Sequence, residues 1–120
     1  MALPRGDEPL LLHNPRCSKS RAAHALLEER GVAFDERRYL DEPLSRAELD
    51  DLRARLARPA AEWARQGESA WGEAGLGAAA DDAAILDAMA AHPILIERPI
   101  LVRGKRAVVG RPPERILELL

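Results

Sequence analysis

The chain is predicted to fold as an α/β protein: a mixed four-stranded sheet flanked by helices, with a helical subdomain inserted between its two halves. Three observations carry that expectation. The start runs from a short apolar segment through a helical stretch to a second strand-like segment, with short links. A capping box opens a helical middle. Beyond about residue 94 the apolar spacing changes from helical to strand-like, and a hairpin turn follows.

Leu10, Leu11 and Leu12 form an apolar run preceded by Pro9 and closed by Asn14-Pro15. Continuous apolarity without alternation suits a strand buried on both faces. Ser18 to Arg30 reads as a helix with Ala22, Ala23, Leu26 and Leu27 on one face and Gly31 as its stop. Val32 to Tyr39 reads as a second, more exposed strand. Strand, helix and strand with short links make a βαβ unit, so these two strands are expected to be parallel.

In the middle, Ser45-Arg46-Ala47-Glu48 is a capping box opening a helix to about Leu56. Pro59 opens a short helix carrying Trp63 and Arg65 and ending near Gly67, and Asp81 to Ala91 forms another around Ile85, Leu86 and Met89. Glu68 to Gly77, holding Trp71 and three glycines, is the expected loop. Ile94 to Ile96 and Pro99 to Val102 are strand material, Arg103-Gly104-Lys105 is a turn, and Ala107 to Val109 is its hairpin partner. Arg111-Pro112-Pro113-Glu114 begins a last helix, proline being tolerated in a first turn, with Ile116, Leu117, Leu119 and Leu120 as its apolar residues. The order βαβ, helical insert, ββα is a thioredoxin-like layout. The expected organisation is one domain over residues 1–120, with the insert at about 42–91 and residues 1–8 as a loose, flexible extension.

Bulk properties narrow the function. Charged residues are 32% of the chain but balance to a net charge of −2, so no global field favours nucleic acid or an anionic membrane. Aromatic residues are 3%, too few for a base-stacking platform. Near the start the longest apolar run is Leu10 to Leu12, far short of a signal segment or membrane span. A single cysteine excludes an internal disulfide or a CxxC pair and is compatible with a reducing, cytoplasmic setting.

That cysteine, Cys17, lies where strand gives way to helix, in His13-Asn14-Pro15-Arg16-Cys17-Ser18-Lys19-Ser20-Arg21. A helix N-terminus and basic neighbours (here Arg16, Lys19, Arg21 and His13 if protonated) lower a thiol pKa from ~8.5 into the range ~3.5–7.5. The alternative is a small buried hydrophobe; the flanking chemistry favours a reactive thiol. Arg98 and Arg111, each followed by proline in apolar surroundings, and Arg65 stand where elements end, and a guanidinium fork suits tetrahedral oxyanions. His13 reads as a core histidine, a tuner of Cys17 or a metal ligand; one cysteine and three scattered histidines argue against metal. His24 and His92 are expected on the surface and Trp63 and Trp71 in packing. The bond before Pro99 reads as trans, since only ~5–6% of such bonds are cis.

The segments Leu11-Leu12-His13-Asn14-Pro15-Arg16-Cys17-Ser18-Lys19-Ser20-Arg21, His92-Pro93-Ile94-Leu95-Ile96-Glu97-Arg98-Pro99-Ile100 and Gly110-Arg111-Pro112 resemble those of the glutaredoxin-coupled arsenate reductases. The similarity runs from about Leu10 to Leu120. The resemblance implies a thioredoxin-like fold with an inserted helical subdomain. It implies Cys17 as the nucleophile, His13 as the group that helps lower its pKa, and Arg65, Arg98 and Arg111 as the arginines that hold arsenate. It also implies a cis bond before Pro99, no bound cofactor, glutathione as co-substrate and glutaredoxin as reductant. Arg16 and Ser18-Lys19 depart from the smaller neutral residues of the best-known reductases. A related glutathione-linked thiol oxidoreductase without arsenate activity is therefore the second reading. Spx-type regulators that bind RNA polymerase share the fold, but they carry a CxxC switch where this chain has Ser20.

Overall fold

In the computed structural model, which describes residues 3–120, the three leucines of β1 (Leu10–Leu12) are all buried. Leu10 and Leu12 enter one apolar cluster and Leu11 a second. That alternation is the two-residue period of a strand covered on both faces.

Four strands form one sheet in the order β2-β1-β3-β4. β2 (Asp35–Arg37) pairs parallel with β1, with Leu12 opposite Arg37. β3 (Ile100–Arg103) pairs antiparallel with both β1 and β4 (Arg106–Val109). This is the mixed, thioredoxin-like sheet expected from the sequence. On one face Leu11 and Leu101 pack with Ala23 and Leu27 of α1 (Ser18–Glu29) and with Ile116 and Leu119 of a closing 3₁₀ helix (Pro113–Leu119). On the other, Leu10, Leu12, Ile100 and Val102 meet Leu49, Leu52, Trp63, Ile85 and Met89. Those residues come from α2 (Arg46–Leu56), a 3₁₀ turn (Ala60–Trp63) and α4 (Asp82–Ala91).

The capping box of α2 has both halves. The Glu48 N–H donates to Ser45 Oγ at 3.1 Å, and the Ser45 N–H donates to the Glu48 carboxylate at 2.9 Å. Glu48 also accepts from Arg37 at 2.6 Å, and both side chains are buried. One carboxylate thus starts the helix and ties it to the end of β2.

Several elements differ from expectation. The buried face of α1 is Ser20, Ala23 and Leu27, while Ala22 is exposed; a polar serine takes a core position because it has internal partners. The turn at Pro59 ends at Trp63, so Arg65 follows it in extended chain. Residues 68–77 are not all loop, because α3 (Ser69–Glu73) buries Ala70 and Trp71. Ile94 is not in a strand: Pro93–Leu95 is a 3₁₀ turn, and only Ile96 forms an isolated bridge, to Ala64. The last helix is 3₁₀ throughout. Residues 3–8 are irregular but tied down: Leu3 is buried, and Arg55 donates to the carbonyls of Pro4 and Gly104. Residues 1 and 2 of the expected extension lie outside the described residues.

Candidate active site

Cys17 is the N-cap of α1, with extended backbone (φ −97°, ψ 126°), and its carbonyl accepts the first helical hydrogen bond, from Arg21. The loop before it is held from both sides. The Cys17 N–H donates to the Asn14 carbonyl at 3.0 Å, and Asn14 Oδ1 accepts from the Arg16 N–H at 3.0 Å. Ser20, one turn into the helix, accepts from the Asn14 N–H at 2.9 Å and bonds His13 Nδ1 at 2.7 Å. His13 and Ser20 are both buried, so this polar link fastens the end of β1 to the first turn of α1.

Partial burial pushes the Cys17 thiol up, but the N–H of Ser20, the Arg98 guanidinium and the N–H of Lys19 together outweigh it, leaving the pKa below its ordinary value. The leading causes are thus the N–H groups at the helix start and Arg98, where the sequence pointed to the side chains of Arg16, Lys19, Arg21 and His13. Arg16 and Lys19 point to solvent, and Arg21 donates to the Pro15 carbonyl. Burial lowers the pKa of His13, Glu36 pulls it back up, and His24, Arg38 and Arg21 lower it further, so the ring is neutral at pH 7.

Two short backbone links gather the arginines. The Ala64–Ile96 bridge, with Arg65 N–H to Leu95 carbonyl at 2.7 Å and Glu97 N–H to Trp63 carbonyl at 3.0 Å, lays Arg65 beside Glu97. The Gly110 N–H donates to the Pro99 carbonyl at 2.8 Å, and Arg111 Nη1 to the Arg98 carbonyl at 3.3 Å, so Arg111 joins them. The bonds Arg98–Pro99 and Arg111–Pro112 are both cis. The first agrees with the resemblance and not with the sequence-only reading; the second was not anticipated. Glu97 lies 3.3 Å from Arg111 and 3.9 Å from Arg65, which also pairs with Glu68. Arg98 is different. Its Nε and Nη1 are buried and have no hydrogen-bond partner among the described residues.

An arsenate reductase of Neisseria meningitidis serogroup B is 46% identical over 112 residues, 92% of this chain and 96% of the relative. The uncharacterized YfgD of Escherichia coli K12 is 42% identical over the same length. A solved arsenate reductase from Vibrio cholerae superposes with a TM-score of 0.89 at 41% identity, covering 96% of this chain and 99% of that one. The model of the ArsC family matches residues 12–119. The chain belongs to the ArsC family.

Around this candidate site of the ArsC-family chain stand four residues that the sequence did not single out. Ser20 was visible only as the residue standing where a CxxC would have its second cysteine. Glu97 stood only within the segment from His92 to Ile100 and Glu68 only at the start of an expected loop. Tyr39, the single tyrosine, gave no signal beyond its place after a strand. His24 is not simply a surface residue, since its ring lies 5.0 Å from that of His13. His13, His24 and Glu36 bring ligand atoms within 4.8 Å of one another, a grouping the scattered sequence positions did not suggest. Arg38 lies 3.9 Å from Glu36, and Arg38 and Arg21 both act on His13, so positive charge already faces the place a cation would take.

Proposed function

We propose that this ArsC-family chain is an arsenate reductase in which Cys17 is the nucleophile and Arg98, Arg111 and Arg65 bind the oxyanion. One observation carries the reading: beside a thiol disposed to ionise, Arg98 holds two buried N–H groups without partners among the described residues. A buried donor without an acceptor is costly, and a tetrahedral oxyanion supplies acceptors at the spacing of a guanidinium edge. The relatives named arsenate reductase identify the oxyanion as arsenate.

In the proposed reaction the Cys17 thiolate attacks arsenic, forming an S–As bond while one arsenate oxygen takes up protons and leaves as water. Fixed donors offset the charge without reorganising. Glutathione thiol then displaces a second oxygen as water. Glutaredoxin thiol attacks the glutathione sulfur, the S–As electron pair passes to arsenic, and arsenic(V) becomes arsenic(III). Water then hydrolyses the remaining Cys17 S–As(III) bond, releasing arsenite and restoring the thiol, while the glutaredoxin–glutathione mixed disulfide departs to be reduced by a further glutathione. The chain's single cysteine supports an external thiol, because no second cysteine is present to resolve the adduct. His13 acts in this scheme as the neutral member of the link to Ser20 that sets the Cys17 loop. No helix among the described residues is long and apolar enough to cross a membrane, and we place the reaction in the cytoplasm, where glutathione is reduced.

Exposed Arg16 and Lys19 beside the thiol favour one second reading, a thiol oxidoreductase acting on an anionic glutathione adduct. Arsenate-dependent NADPH oxidation, coupled through glutathione reductase with glutathione and glutaredoxin, separates the two. Saturable turnover lost in Cys17→Ser is the expected result. No turnover, with the thiol still reactive, gives the site to the second reading.

A further inference from the structure

Tyr39 is 1% exposed, and its hydroxyl has no hydrogen-bond partner among the described residues. Most buried hydroxyls are satisfied, so an orphaned one calls for a physical explanation. Its place in the fold supplies one. The His13 N–H donates to the Arg37 carbonyl at 2.9 Å, extending the parallel pairing by one rung, so the chain leaves β2 at the end of the sheet where Cys17 follows β1. There the phenol is within electrostatic reach of Arg98, Arg65, Cys17 and Glu97, the residues that make up the candidate site.

Three buried donors thus lack partners at the same end of the sheet: the phenol O–H of Tyr39, just beyond β2, and the Nε–H and Nη1–H of Arg98, just before β3. They do not satisfy each other, although a phenol oxygen can accept from a guanidinium. An acceptor-rich tetrahedral oxyanion satisfies all three. We propose that Tyr39 is a direct ligand of the oxyanion, donating its O–H to an arsenate oxygen held on Arg98. This inference rests on the arsenate site proposed above and adds a neutral donor to its charged ones.

A neutral donor has a distinct use. Burial pushes the phenol up to about 12, against the opposing pull of Arg98 and Arg65. Tyr39 therefore keeps its proton and remains a donor throughout the range in which Cys17 and arsenate titrate. It favours a substrate oxygen that carries no proton, and so selects the more ionised form of the anion.

The test uses the full chain as wild type, Tyr39→Phe and Arg98→Ala. Sodium arsenate is titrated against the rate of Cys17 alkylation by iodoacetamide, giving an apparent Kd, and thermal melting is followed without anion. Removing a donor to a charged oxygen is expected to raise the Kd roughly ten-fold in Tyr39→Phe, with the Tm of the free protein unchanged or higher because an orphaned hydroxyl is gone. An unchanged Kd in Tyr39→Phe, with weakened binding in Arg98→Ala, overturns the role of Tyr39 while leaving the arsenate site in place. A lowered Tm in Tyr39→Phe also overturns it, since the hydroxyl would then be structural. Unchanged protection in both variants overturns the arsenate site itself.

Discussion

Gly110 packs its bare Cα against the ring of Pro99. A β-carbon there would stand 2.9 Å from Pro99 Cγ and 2.9 Å from Ile116 Cγ2, closer than carbon atoms approach without displacement. The Gly110 N–H meanwhile donates to the Pro99 carbonyl. Arg98 precedes Pro99 and Arg111 follows Gly110, so this contact sets the spacing of two candidate anion-binding arginines.

Gly110→Ala is therefore expected to act on stability and site together. Neither a proline ring nor a buried isoleucine is a flexible chain end, and overpacking of this kind costs about 1–3 kcal/mol. Urea unfolding measures the loss. A variant as stable as wild type would show that the loop yields easily.

The thiol gives a pH prediction. Iodoacetamide alkylation of Cys17 should show a midpoint below the ordinary value of ~8.5, because the helix N–H groups and Arg98 favour the thiolate. In Arg98→Ala the burial remains and one favourable partner is lost, so the midpoint moves up. Arg98→Lys should lie between and bind arsenate less well, since a point charge does not reproduce the fork. An unmoved midpoint in Arg98→Ala would assign the effect to the helix alone.

His13 predicts the acid side of the stability profile. Its folded pKa lies below the unfolded value of ~6.5, so the unfolded chain takes up the proton more readily. The stability this contributes is complete above about pH 6.5 and declines as pH falls below it. His13→Gln should flatten the Tm profile between about pH 7 and pH 5. A slope identical to wild type would place the titration elsewhere.

Arg37 and Glu48 form a buried pair at 2.6 Å. Removing one partner leaves the other charge buried and costs about 3–5 kcal/mol, so Glu48→Gln, which leaves Arg37 charged, should destabilise strongly by urea unfolding. The Glu48 carboxyl is raised by burial but lowered further by Arg37 and Ser45, to below its ordinary value. Its contribution is present above about pH 4.5 and is lost as pH falls through the lowered folded pKa. Arg37→Met/Glu48→Leu should regain much of the loss.

What the sequence made legible was whatever rests on local pattern. Leu10 to Leu12, the capping box at Ser45 and the hairpin turn at Gly104 each carry their signal within a few residues, and each is where it was expected. The site was legible as motifs but not as contacts. Arg65 was expected on a helix because Trp63 and Pro59 suggested one; it reaches Glu97 instead through a bridge that only tertiary pairing creates. Ser20 carried no sign of burial in the sequence, and its hydroxyl is bonded to His13 seven positions earlier. Tyr39 and Cys17 come to the same end of the sheet only because β1 and β2 are parallel, a relationship no window of sequence contains.

The carboxylate of Glu97 makes the site a place of exchange rather than of simple attraction. With Arg65 and Arg111 already facing Glu97 and Glu68, the guanidinium charge is largely answered by the protein's own anions. An incoming anion must outbid a resident rival, so selectivity depends on how much better it serves Arg111 than a carboxylate does. Chloride or a monocarboxylate offers little beyond what Glu97 provides, whereas a doubly charged tetrahedral ion offers more charge and more acceptors. For the anion site proposed here, Glu97 would serve as an internal reference anion, and abundant weak anions are expected to fall below its threshold.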